Sequence, residues 1–110
     1  MENNLVNGAL FEIPSNAKRE YLDALIGKMY KILHLFSERS ITGFSPKQFI
    51  GGQLFELNAA NSLFQGKLVT ILIKVKGIYD GVDELSEQQV KKQIFEIQRM
   101  IQALKKELEG

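Results

Sequence analysis

The chain has 110 residues, enough for one domain, with 45% hydrophobic and 25% charged residues. Its formal net charge of +1 gives no overall field to draw in nucleic acid or an anionic membrane. There is no cysteine, which excludes disulfides and thiolate chemistry and fits a cytoplasmic protein.

Residues 1–14 read as a short irregular arm. Asn3, Asn4, Asn7 and Gly8 oppose an early helix. Ala9, Leu10, Phe11 and Ile13 form an apolar patch, and Pro14 disfavours helix at Ile13. The arm is expected to lay Phe11 or Ile13 against the rest of the chain. Its start lacks the basic residues and apolar run of a signal peptide. The longest apolar stretches fall far short of the ~20 residues that cross a bilayer.

Residues 15–110 read as one helical domain. Ser15 or Asn16 is expected to cap a first helix running to about Glu38. Leu22, Ile26, Met29, Leu33 and Phe36 recur at helical spacing. Eleven of the sixteen residues from Tyr21 to Phe36 are apolar or aromatic. That density predicts a helix buried on most sides, central to the domain or part of a subunit interface.

Gly43 marks a turn, and Ser45-Pro46-Lys47-Gln48 predicts the next helix start. This second helix is expected to run to Gln65 and stop at Gly66, with Ile50, Leu54, Leu57, Asn61 and Phe64 on its inner stripe. Gly51 and Gly52 point to a kink or a delayed start, since each costs about 1 kcal/mol against Ala. Asn58 and Asn61 are placed on the inner side, where a bonded Asn fixes register.

Residues 67–79 carry two competing periods. Val69, Ile71, Ile73 and Val75 alternate as in a strand, while Leu68, Leu72, Val75 and Tyr79 recur as in a helix. Helix is preferred, because a lone strand has no partner for its backbone groups. An acidic loop over residues 80–85 follows. Ser86-Glu87-Gln88-Gln89 is a capping box opening a last helix to about Glu109. Val90, Ile94, Ile97, Ile101, Leu104 and Leu108 give it one clean stripe and a wide polar back.

The fold class that follows is all-α: an antiparallel four-helix bundle with a short irregular N-terminal arm. Chemistry-bearing motifs are weak. His34, the only histidine, pairs at i,i+4 with Glu38, but zinc asks for four ligands, so a solvated pair is the better reading. Glu20, Asp23, Glu38 and Glu56 lie nearest apolar surroundings, without a nucleophile, phosphate-loop or HExxH motif to join. Asp80 to Glu84 lacks the ligand spacing of a calcium loop. Lys18, Arg19, Lys67, Lys74 and Lys76 are candidates for a basic patch without a recognition-helix signature.

No catalytic, cofactor-binding or metal residue is therefore expected, and no cofactor. The surplus apolar residues carry more: Tyr30, Ile32, Leu35, Phe44 and Phe49 form the candidate interface, with Phe55 and Phe95 also off the main stripes. The expected function is a small cytoplasmic, non-enzymatic, regulatory or adaptor protein-binding module, a homodimer being one form. Its protein partner is not identified by the sequence. An immunity-type or phage or bacterial inhibitor protein is the first alternative, by analogy of size and architecture alone. A DNA-associated regulator is the second.

Overall fold

The computed structural model describes residues 14–43 and 45–109. The expectations for residues 1–13, and for Phe44, lie outside the described residues. Four α-helices follow in order: α1 (Ser15–Thr42), α2 (Lys47–Ala60), α3 (Val69–Asp80) and α4 (Glu87–Glu109), with a 3-10 turn, Asn61–Phe64, after α2. No strand occurs among the described residues.

Helix α1 starts and ends differently from the expectation. Neither Ser15 nor Asn16 caps it. Extended Pro14 stands at the cap, and its carbonyl accepts the Lys18 N–H at 3.0 Å. The helix also runs through Ile41 and Thr42, because the first residue suited to stopping it is Gly43. At φ +71°, in the left-handed region, Gly43 donates its N–H to the Arg39 carbonyl at 2.8 Å.

Helix α2 starts beside Ser45, whose Oγ accepts the Lys47 N–H at 3.3 Å. Gly51 and Gly52 lie inside the continuous helix and do not delay its start. Gly51 instead allows a close approach, since a Cβ there would lie 3.3 Å from Cε1 of Tyr79 on α3. The helix tightens into the 3-10 turn, then Gln65 and Gly66 take left-handed conformations. Asn61 Oδ1 accepts the Leu68 N–H at 2.9 Å across this turn. A stripe-position Asn thereby ties the end of α2 to the start of α3. Asn58 is exposed instead of inward.

Residues 69–80 are helical, so the 3.6-residue period overrides β-branching here. The reciprocal capping box at α4 forms as predicted. Gln89 donates its N–H to Ser86 Oγ at 3.2 Å, and Ser86 donates its own to Gln89 Oε1 at 2.8 Å.

Cross-helix contacts give an up-down-up-down arrangement. Lys28–Glu56 (2.8 Å) and the Tyr21–Phe64 rings (centroids 5.5 Å apart) run α1 against α2. Lys74–Glu96 (2.8 Å) and Lys67–Glu107 (2.9 Å) run the α3 side against α4. Asp23–Lys105 and Ser37–Glu87 run α1 against α4. The Lys47 ammonium sits 4.5 Å from the Tyr79 ring centroid, closing α2 on α3.

The core between them holds Leu22, Leu25, Met29, Ile32 and Phe36 of α1 and the α4 stripe from Val90 to Leu104. Ile50 and Leu57, Phe64, Leu68, Ile71, Val75 and Ile78, and the loop residue Val82 complete it. Helix α1 is not buried on most sides. Asp23, Ala24, Gly27, Tyr30, Lys31, His34 and Ser37 are exposed, and Ile26 and Leu33 flank the core instead of filling it.

Candidate interaction surface

The residues expected to form one interface are divided by the fold. Lys28 of α1 meets Glu56 of α2. Leu35 lies two turns beyond Lys28, and Phe49 two turns before Glu56, so this pair sets them level on the α1–α2 seam. Both are half-buried, and Ile32 is fully buried. Ile32 is therefore core, because α1 turns that edge of its apolar belt inward. Tyr30 points away from this seam. It stands in line with Asp23 and Ser37, which face α4, and is 54% exposed.

Tyr30 is midway between the Asp23–Lys105 and Ser37–Glu87 contacts, a level that Phe95 of α4 also occupies. Phe95 is 39% exposed, with the Lys91 ammonium 6.0 Å from its ring centroid. Charged residues stand at both ends of this α1–α4 face.

A second face has another character. On the outer side of α2 and α3, Phe55 is 78% exposed, Ile73 62% and Val69 46%. Phe55 lies one turn beyond Gly51 on the edge of α2 that meets α3. Val69, Ile73, Lys76 and Asp80 follow one another along a single line of α3. Gly52, Ala59 and Gly77 are exposed alongside them. From Gln48 to Ser62 the only ionisable side chain is Glu56, and it turns to α1 to accept from Lys28. On α3, Lys76 and Asp80 neutralise each other at 2.9 Å. Lys74 turns the other way, to Glu96, which its ammonium holds below the ordinary carboxylate value of 4.5 by hydrogen bonding and by charge.

The sequence places Phe55 off the main stripes, but Val69 and Ile73 beside it on this face are not among the surplus apolar residues it singles out. Val69 and Ile73 were weighed only as evidence of strand. Yet the scarcity of charge on α2, with Glu56 alone between Gln48 and Ser62, together with large apolar residues at the non-core positions of α3, is a signal available in the sequence.

The other candidates disperse into pairs. His34 Nε2 lies 3.8 Å from Glu38 Oε2, both exposed. Among the described residues no three His, Asp or Glu side chains gather as a metal site would require. The basic candidates Lys67, Lys74 and Lys76 are each matched by a carboxylate. The Lys18 ammonium rests 5.8 Å from the Phe64 ring centroid. Asp23 pairs with Lys105. The Tyr21 phenol is raised above its ordinary value of 10.0, by burial first and then by the Glu56 carboxylate.

Among the described residues there are also open clefts, two of them larger than a third beside Glu87, Gln88 and Lys91. One, of about 360 Å³, lies between α3 and α4 over Ile71, Met100 and Leu104, with Lys67 and Glu107 at its mouth. The other, of about 290 Å³, lies beside Arg39, Ser45 and Asp83. The Arg39 guanidinium is committed to the carbonyls of Val82 and Leu85. No described helix is long and apolar enough to cross a membrane. Comparison with protein-family models, curated proteins and solved structures returns no match to this chain.

Proposed function

We propose that this chain is a small, non-enzymatic, cytoplasmic protein-binding module of the regulatory or adaptor kind. The outer face of α2 and α3 is its docking surface. The observation that carries the reading is the pairing of large exposed side chains, Phe55 and Ile73, with a near absence of net charge around them. Isolated exposed apolar residues are ordinary on a protein surface. A contiguous, charge-poor set is the composition found at the centre of protein interfaces. The compensated lysines of α3 favour a protein partner over nucleic acid, since an already paired ammonium has less to gain from a phosphate.

Site-specific photo-crosslinking tests this reading. A benzoylphenylalanine replaces Phe55 in one variant and the exposed Lys106 of α4 in another, and both are irradiated in cells. Protein adducts are expected at position 55 and not at 106. Equal adduct formation at the two positions, or none at 55, overturns the proposal.

A further inference from the structure

We infer that α2 is a lid on this bundle: it opens and unfolds as a unit while α1, α3 and α4 stay packed together. The opening itself does not depend on the docking reading.

The first argument is what holds each helix. Helices α1 and α4 are joined by Asp23–Lys105 and Ser37–Glu87. The α3 side is joined to α4 by Lys67–Glu107 and Lys74–Glu96, and Arg39 of α1 grips the α3–α4 loop. None of these involves α2. Among the described residues, α2 is tied to other helices by the Lys28–Glu56 pair and by Lys47 over the Tyr79 ring. Lys28 and Glu56 are both exposed, and such a pair contributes little.

The second argument lies inside α2. One of the three side chains it buries is Gln53, whose amide has no hydrogen-bond partner among the described residues. In water that amide regains its hydrogen bonds, so it favours the open state. Gly51 and Gly52 weaken the middle of the helix. A helix of 14 residues removed from its packing does not persist in water, so the segment unfolds as it leaves.

The third argument is the joints. Gly43 (φ +71°) precedes α2, and Gln65 (φ +57°) and Gly66 (φ +80°) follow it. Gln65 is the only residue other than glycine at positive φ among the described residues. Its Cβ crowds the backbone there, and opening releases it. Opening also empties the space beside α1 and α3 that Ile50 and Leu57 fill. It carries Phe55 away from Val69 and Ile73, so the docking surface exists only while α2 is closed. That consequence alone rests on the docking reading.

Native-state amide exchange of the purified chain is the test. Amides of residues 51–60 are expected to share one protection factor, at least about tenfold below that of residues 94–104. Ile97→Val trims a core side chain of α4, the helix diagonal to α2. It is expected to lower protection along α4 by about two- to tenfold and leave that of α2 unchanged, because α4 stays packed whether α2 is open or closed. At Gly52 an added Cβ meets nothing within 4 Å. Gly52→Ala is therefore expected to slow exchange in α2 by about three- to fivefold.

Protection in α2 equal to that in α4 overturns the inference. So does fraying from the helix ends with Leu57 as protected as α4. A fall in both helices on Ile97→Val makes the opening global and overturns it too, and unchanged exchange in Gly52→Ala shows that α2 does not unfold. The crosslinking separates this failure from that of the docking reading. Adducts at position 55 with uniform exchange remove the lid alone, and separate exchange of α2 without adducts removes the docking surface alone.

Discussion

Gln53 is 95% removed from solvent, beside Ile50 and Leu57 on α2, and finds no hydrogen-bond partner among the described residues. An unpaired buried amide costs about 1–3 kcal/mol. Gln53→Leu is therefore expected to raise stability by about 1–2 kcal/mol in a denaturant titration, and a loss would show that the amide is satisfied. Sequence reading passed over this residue because Leu54, its neighbour, fits the same inner stripe. Leu54 instead flanks the core, and the polar Gln53 goes in. Tyr21 makes a second residue-scale prediction. Its phenol is raised above 10.0 in the folded chain, so the unfolded chain ionises first as pH climbs. Stability from this group is whole below pH 10 and falls as pH rises toward the folded value. Tyr21→Phe should flatten alkaline unfolding above about pH 10, and an unchanged curve would exclude Tyr21 as its source.

Among the elements, helix starts separate what local chemistry fixes from what it merely permits. Ser86 and Gln89 exchange both bonds of a capping box, a reciprocal arrangement within four residues that a sequence reveals directly. Ser15 has the same chemistry but lies inside the first turn, because Pro14 has already set the entry angle. Ser86→Ala is expected to cost about 1 kcal/mol, and Ser15→Ala less than about 0.5 kcal/mol. Equal losses would refute this difference between the caps. The ambiguity over residues 67–79 had a similar origin. β-Branched residues are tolerated in a helix when a packed stripe repays their lost rotamers, as Ile71, Val75 and Ile78 do here. The Lys74–Glu96 bond that holds α3 to α4 makes its own pH prediction. The carboxylate is held below 4.5 when folded, so its contribution is present above that pH and lost on acidification through the lower folded value. Lys74→Ala should leave a shallower acid limb, measured by thermal melts from neutral pH downward.

For the whole molecule, helix number, order and antiparallel sense were legible, because four apolar stripes joined by short turns leave few other packings. Less legible was the side of each belt that faces inward. On α1 both Ile26–Leu33 and Leu25–Ile32 satisfy a helical period, and the choice depends on where α2 and α4 stand. The α2–α3 face depended on the same choice, since Ile73 is free only after Ile71, Val75 and Ile78 have gone inside. One contact binds the two helix hairpins at their common end. Arg39, on the last turns of α1, donates through both terminal nitrogens to the carbonyls of Val82 and Leu85 in the α3–α4 loop. Its guanidinium lies 4.6 Å from the Phe36 ring centroid. Val82 is buried, so the clasp also seats a core residue. Lysine cannot reproduce this, because one ammonium lacks the planar fork that reaches two carbonyls while stacking on a ring. Arg39→Lys is expected to cost about 1.5–3 kcal/mol, the range for hydrogen bonds to a charged group. Amide exchange should accelerate first at residues 81–86 and then across α3, with the middle of the α1–α4 pair slowest to respond. Uniform acceleration would mean that the bundle opens as one unit and that Arg39 does not hold the loop separately. No acceleration would show that Val82 stays seated without the clasp.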